Sequence, residues 1–316
     1  MLKLRVISEA SVTADIKLIE LESVSDALPG YQPGAHIQID IPGGETRNYS
    51  LINLDPGVET QIPPTNYKLG VLLEEQSTGG SSYIHGLKVG DEITCELPKN
   101  DFPFGTDNNP LLIAGGIGVT PIASMVSALV RNDSMFEFHY AGRTSSSVAF
   151  MPELQNVAGD RLIPHFDDQE SALDLVKLFD GVDISRHVYV CGPKGMIEAT
   201  KQAAEQAGMP AKQIHFELFT NDATLASDDS FEVEISSSGE VYNIPAGRTI
   251  IEVLEEEGVD VMYDCQRGDC GICQTSVIAG TPDHRDVVLS ESEKASGDVM
   301  QICVSRAKSK RLVLEI

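Results

Sequence analysis

The chain has 316 residues, with 41% hydrophobic and 22% charged side chains and a formal net charge of −25. This length suits about two or three domains with their own cores, and the composition is neither that of a disordered chain nor that of a fibrous one. Such negative charge repels a polyphosphate backbone or an anionic lipid surface, so nucleic acid and membrane are set aside as partners. No apolar run has the length of a bilayer span. The charge would steer in a protein with a basic docking face, although solubility alone also accounts for it.

From Met1 to Phe104 short alternating strands (IKLIELES, HIQIDIP, YKLGVLLEE, EITCELP) are broken by Gly and Pro, the pattern of an antiparallel β-barrel over residues 1–104. The N-terminal MLKLRVISEASVTADIKL alternates like a first strand and lacks the apolar core of a leader, which sets a cytoplasmic location as the expectation. After HIQIDIP comes Arg47-Asn48-Tyr49-Ser50-Leu51, and later Thr78-Gly79-Gly80-Ser81-Ser82 opens a short helix, YIHGL. Alone, R-x-Y-S is an ordinary polar strand. With a Gly-Gly-Ser helix start it becomes a site for an anion plus a flat ring. Arg47 can grip a phosphate bidentately, Gly79, Gly80 and Ser81 offer N–H donors, and Tyr49 and Ser50 present a ring face and a hydroxyl. His36 reads as a satisfied strand histidine and Cys95 as core.

From residue 105 to 222 apolar strands alternate with helical stretches: PLLIAGG, IASMVSALVRN, FEFHYAGR, then HVYVCG and MIEATKQAAEQAG. This predicts a parallel sheet flanked by helices. Gly115-Gly116-Ile117-Gly118-Val119-Thr120-Pro121 forms a glycine-rich turn in which Gly116 and Gly118 admit a pyrophosphate, Thr120 caps the helix and Pro121 takes its first position. A third dinucleotide-fingerprint glycine is missing, which points away from a standard dehydrogenase. A second turn, Cys191-Gly192-Pro193-Lys194-Gly195-Met196, also follows a strand. Both turns lie at carboxyl ends of strands, where open α/β sheets bind ligands. After FHYAGR the run TSSSVAF brings hydroxyls but no further base, leaving Arg143 nearly alone where a 2′-phosphate would need a cluster. NADH is therefore expected over NADPH.

Thr220 to Ser230 is small and acidic, with 223–230 the expected linker. Residues 231–316 open and close on strands, FEVEI and RLVLEI, around the helix RTIIEVLEEEG, where Thr249 and Glu252 make a T-x-x-E capping box and Gly258 a C-terminal stop. A compact α+β domain follows. Its long loop carries Cys265, Cys270 and Cys273 at C-x4-C-x2-C spacing, with Cys303 further on, the plant-type pattern for a [2Fe–2S] cluster. Gly268 and Gly271 let backbone N–H groups approach the sulfurs. A zinc site with Cys303 standing alone, or a redox pair at Cys270 and Cys273, remain the other two chemistries of this loop.

CQRGDCGIC with QICVSRA resembles the plant-type ferredoxin module, a β-grasp fold. The R-x-Y-S/G-G-S pair and the GGIGVTP/CGPKGM pair resemble the ferredoxin–NADP reductase superfamily. Their order, flavin domain, nucleotide domain, then C-terminal ferredoxin, resembles the phthalate dioxygenase reductase family over nearly the whole chain. The resemblance implies FMN rather than FAD, with Tyr49 on the flavin ring, Ser50 near its reactive nitrogen and Cys191 facing nicotinamide and flavin. It implies a basic phosphate contact at the position that here is Thr78, and places Phe219, of HFELF, against the flavin. It also implies a flow of electrons from NADH through FMN to the [2Fe–2S] cluster and on to the terminal component of a Rieske-type oxygenase. A self-sufficient oxygenase would need a haem or Rieske module for which the chain has no spare domain. A redox sensor would use the cluster as a switch.

Overall fold

A computed structural model describes residues 1–75, 77, 79–105, 109–219 and 228–316. The described chain forms two compact units, Met1–Glu217 and Leu218–Ile316. The expected linker falls largely on residues outside the described ones, as does Thr78.

The first unit begins with β1 (Leu2–Ser11), β2 (Ile16–Ser23), β3 (His36–Ile41), β4 (Glu45–Ser50), β5 (Tyr67–Leu72), α1 (Gly80–Gly86) and β6 (Glu92–Cys95). The strands pair antiparallel in the order β4-β3-β6-β1-β2-β5. The two edge strands nearly meet, because an antiparallel bridge joins Leu51, just past β4, to Leu69 of β5. The result is a nearly closed barrel. Period-2 alternation turns Leu4, Val6, Ile19, Leu21, Ile37, Ile39, Leu69 and Cys95 into one buried cluster. Cys95 is core as expected, and burial pushes its thiol up to about 12.

The same unit continues with β7 (Leu111–Gly115), α2 (Val119–Arg131), β8 (Glu137–Gly142), α3 (Met151–Ala158), β9 (Leu162–Phe166), α4 (Leu175–Phe179), β10 (Val188–Cys191), α5 (Lys194–Gln206) and β11 (Ile214–Glu217). These strands form an all-parallel sheet, β11-β10-β7-β8-β9. Such a sheet is covered on both faces, so β7 and β10 are buried along their whole length and read as continuous apolar runs.

Helix α2 is buried from Val119 to Leu129, including three hydroxyl residues. Ser124 Oγ accepts from Asn53 N and donates to Leu51 O, both at 2.8 Å, while Ser127 Oγ donates to Asn53 O at 2.8 Å. Leaving any of them unpaired would cost about 1–3 kcal/mol. Instead they fasten the nucleotide half to the backbone that leaves the R-x-Y-S strand.

The second unit contains β12 (Phe231–Ile235), β13 (Val241–Ile244), α6 (Ile250–Glu256), β14 (Gln274–Ala279), β15 (Pro282–Asp283), α7 (Glu291–Ser296), β16 (Val299–Gln301), β17 (Arg306–Ala307) and β18 (Arg311–Leu314). A mixed sheet, β13-β12-β18-β14-β16, shares a core with Ile250, Ile251 and Leu254 of α6. The Thr249–Glu252 capping box forms in full, and Gly258 follows the helix with φ +80°. Arg306, 2% exposed, is held by Asp228 at 3.3 Å and by the carbonyls of Asp229 and Pro245, and Arg285 grips Asp228 bidentately at 2.9 and 3.0 Å. No helix among the described residues is long and apolar enough to cross a membrane.

Candidate functional site

In the barrel, β3 pairs with β4 in a register that sets Arg47 opposite Ile39 and Tyr49 opposite Ile37. The pleat puts Arg47 and Tyr49 on one face and Asn48 and Ser50 on the other. Helix α1 begins directly against that first pair. A Cβ on Gly80 would lie 2.6 Å from Arg47 Cγ and 3.1 Å from Tyr49 Oη, so only glycine lets the helix start here. Gly79, at φ +111°, makes the preceding bend. The two flavin motifs therefore adjoin.

The Arg47 guanidinium donates to Glu45 Oε2 at 2.6 Å and to the Thr46 carbonyl at 2.8 Å, with its side chain about one-third exposed. Burial pushes the Tyr49 phenol up to about 12, so it stays a neutral ring. Ser81 is already engaged, donating to Ser77 Oγ at 2.9 Å and accepting from Glu74 N at 3.2 Å. Ser50 is buried, and Asn48 Oδ1 is a buried acceptor with no protein donor. The Arg47 cation and the neutral Tyr49 ring, on one face against the start of α1, fit a bound group that brings a phosphate and a flat ring, while the orphaned Asn48 acceptor lies on the opposite face.

The two nucleotide turns meet because β7 and β10 are neighbours, with Cys191 registered on Ala114. A Cβ on Gly118 would sit 2.3 Å from the Cys191 carbonyl oxygen, and one on Gly115 2.7 Å from Met196 Sδ. One on Gly192 would lie 3.1 Å from Gly115 Cα. These glycines let two loops and a helix touch each other. Of the two glycines expected to admit a pyrophosphate, Gly118 packs on the Cys191 carbonyl while Gly116, at φ +54°, has open space beside it, as Gly195 has in the second turn.

Thr120 does not cap α2. The helix starts a residue earlier, after a 3-10 turn over Gly116–Gly118, and the Thr120 hydroxyl donates back to the Ile117 carbonyl at 3.0 Å. Its methyl instead faces the barrel, 2.9 Å from where a Cβ on Gly70 would be. Pro121 is buried in the first turn. Cys191 is fully buried at the end of β10, next to Gly192 and Pro193. Arg143 is exposed in the loop after β8. Phe219 is half-buried and belongs to the second unit, not to the one with the flavin motifs.

In the second unit the sulfurs of the three loop cysteines and Cys303 form one connected set, with thiol contacts running Cys270–Cys265–Cys303–Cys273. All are free thiols, and Cys273 and Cys303 are buried. Hydrogen bonds from the Cys303 thiol lower the pKa of Cys265 and of Cys273, and the same bonds raise that of Cys303. Arg267 N–H points at Cys265 Sγ at 3.3 Å, and Cys273 Sγ contacts Gln301 Oε1 at 3.4 Å.

Gly268, at φ +79°, is pressed on Val304 and Asp286: a Cβ there would lie 2.6 Å from Val304 Cγ2. Val287 N donates to the Gly268 carbonyl at 3.0 Å, so the 286–288 segment lines the loop from outside. Gln301 lies outside the cysteine spacing motif, and its signal in the sequence is a lone amide between the apolar Met300 and Ile302. Among the described residues no three His, Cys, Asp or Glu side chains surround one ion. A binuclear cluster takes two thiolates per iron, and a convergent thiol set with N–H groups aimed at sulfur fits it.

Residues 233–308 match the family model of the 2Fe-2S iron–sulfur cluster binding domain, and residues 112–202 that of the oxidoreductase NAD-binding domain. The solved structure of phthalate dioxygenase reductase, described as modular for electron transfer from pyridine nucleotides to [2Fe–2S], is similar over 100% of this chain and 98% of that one. The identity is 34% and the TM-score 0.72. The chain belongs to the phthalate dioxygenase reductase-like family. The chain is also similar to the vanillate O-demethylase oxidoreductase of Pseudomonas sp. strain HR199, 38% identical over 309 residues, 95% of each chain. The haem-dependent oxidative N-demethylase beta subunit of Ectopseudomonas mendocina is 35% identical over 318 residues, 100% of this chain and 99% of that one. The present chain is an oxidoreductase with the NAD-binding and iron–sulfur modules in a single polypeptide.

Proposed function

We propose that this protein is the reductase component of a Rieske-type oxygenase system, taking electrons from NADH through FMN and a [2Fe–2S] cluster to a terminal oxygenase in the cytoplasm. The observation that carries the reading is the thiol set of Cys265, Cys270, Cys273 and Cys303 in a chain whose other half joins an R-x-Y-S strand to a glycine-rich nucleotide turn. When bound, FMN takes up a hydride as an electron pair and yields electrons singly, which is what a one-electron cluster can accept.

The chain's own residues supply binding and orientation. Arg47, with Gly79, Gly80 and Ser81, would hold the flavin phosphate, and Asn48, Tyr49 and Ser50 its ring. Gly116, Gly118, Thr120, Pro121 and Arg143 would receive NADH. Buried Cys191, with Gly192 and Pro193, would limit how far the nicotinamide enters. For Arg47 to serve a phosphate it must leave Glu45, an exposed ion pair of the kind worth about 0–1 kcal/mol.

The kinship with a haem-dependent demethylase subunit supports a second acceptor class, a haem oxygenase. An absorption spectrum of the purified protein, with mass identification of the flavin released on denaturation, tests the cofactor assignment. Colourless protein, or one releasing no flavin, sinks it. Reconstitution with a Rieske-type and with a haem-type oxygenase component separates the two acceptors.

A further inference from the structure

His139 and His165 stand on the neighbouring strands β8 and β9. Nδ1 of His139 lies 2.8 Å from Nε2 of His165. The ring planes are within 18° and the centroids 5.1 Å apart. With so short a nitrogen contact, rings at that separation meet edge to edge, the geometry of an N–H···N hydrogen bond rather than of face stacking. The outer nitrogens are engaged too. His139 Nε2 is 2.9 Å from Glu137 Oε1, and His165 Nδ1 is 2.8 Å from the Ser171 carbonyl oxygen. Arg186 Nη1 donates to the other Glu137 oxygen at 2.9 Å.

These partners set the number of protons. A carbonyl oxygen only accepts, so His165 Nδ1 carries a hydrogen. Burial raises the Glu137 pKa, but hydrogen bonds from His139 and Arg186 outweigh it and hold the carboxyl below its ordinary range. It is therefore an ionised acceptor, and His139 Nε2 carries a hydrogen as well. The inner contact needs one more, shared between two nitrogens. Two imidazoles with three N–H hydrogens bear one positive charge. Without the shared proton two lone pairs face each other, and with a fourth hydrogen two N–H groups do.

Ser171 belongs to the loop after β9. The same loop is tied to the loop after β8, with Asp167 N donating to the Gly142 carbonyl at 3.1 Å and Asp168 N to that of Arg143 at 3.2 Å. This is the carboxyl edge of the sheet, where Arg143 stands. We propose that His139 and His165 share a single proton and, through Ser171, position the 167–171 loop at this edge, so that NADH binds more tightly while the pair is charged. The proposal rests on the reading of that edge as the nucleotide site.

Both are positioning residues that act through the loop. The groups acting on His139 are Glu137 on its own strand, His165 on β9 and Arg186 from the segment before β10, while its neighbour on β7 is the apolar Ile113. Burial weakens the hold of His139 on a proton and Glu137 strengthens it, burial prevailing. The sign follows: the pair is charged on the acid side, loses its proton as pH rises, and KM for NADH rises with it.

The test uses the full-length holoprotein with 15N-labelled histidine. Imidazole shifts are followed from about pH 5 to about pH 9, the range in which histidines titrate. Over the same range KM for NADH and kcat are measured with ferricyanide as acceptor, for the wild type and His165→Gln. Expected are one titration step common to both rings and a KM that climbs about fivefold through it. kcat should stay constant, and the variant's KM profile should be flat. Two rings titrating independently, or a flat wild-type KM while turnover persists, overturns the proposal. If the variant does not fold, the wild-type shifts and KM profile decide. No NADH oxidation at any pH would overturn the nucleotide-site reading together with the loop's role.

Discussion

The glycine-rich turns of the first unit and the cysteine loop of the second are built from the same small residue for different ends. At Gly115, Gly118 and Gly192 the missing Cβ admits another piece of backbone or a methionine, so two loops and a helix can lock together. In the cysteine loop Gly268 also packs, but the loop it bends carries the donor atoms itself, three thiols within nine residues. The nucleotide site is an assembly of distant segments, whereas the cluster site is nearly complete in one stretch of chain. Damage should therefore spread in the first unit and stay local in the second.

The largest expected effect breaks the cluster without touching the first unit. Cys303→Ser removes the thiol that joins Cys265 to Cys273, and iron content and cluster absorption should fall towards zero. NADH-driven ferricyanide reduction should survive. Loss of both together would mean that the halves are not separable in this way.

Next comes the clamp of the second unit. Asp228→Ala leaves Arg306 buried without its carboxylate, a change that costs about 3–5 kcal/mol when a buried pair is broken. Thermal loss of the cluster chromophore should come at clearly lower temperature, with flavin release unmoved.

Within the first unit, two glycines two residues apart should behave differently. Gly118→Ala drives a methyl into the Cys191 carbonyl and should lower stability by about 1–3 kcal/mol. Gly116→Ala meets no protein atom and carries only the left-handed backbone cost of about 1 kcal/mol. It should act instead on KM for NADH. Equal melting temperatures for the pair would erase the distinction drawn between packing and ligand glycines.

The smallest effect is expected at Thr249→Ala, which opens the capping box of α6 and should cost about 1 kcal/mol, visible in the melting of the second unit alone.

How much of this was legible in the sequence follows the same division. The cysteine loop could be read because thiolate chemistry fixes both residue type and spacing. The capping box and the barrel strands could be read because they depend on near neighbours and on period-2 alternation. What could not be read depends on contacts between segments far apart in the chain. Thr120 looks like a cap, yet a 3-10 turn absorbs the start of α2 and turns its methyl to Gly70. Gly118 and Gly192 read only as ligand glycines until β7 and β10 are seen as neighbours, where each also admits a packed segment of the chain. The His139–His165 contact needs the register of two parallel strands, which no local pattern encodes.

The central claim is that one chain carries electrons from NADH to its own iron–sulfur centre. The most direct measurement is electron paramagnetic resonance of the protein frozen after anaerobic addition of NADH, beside the Cys303→Ser variant. The account predicts a reduced [2Fe–2S] signal close to one spin per chain in the wild type and none in the variant. A reduced flavin with a cluster that stays oxidised and silent would contradict it.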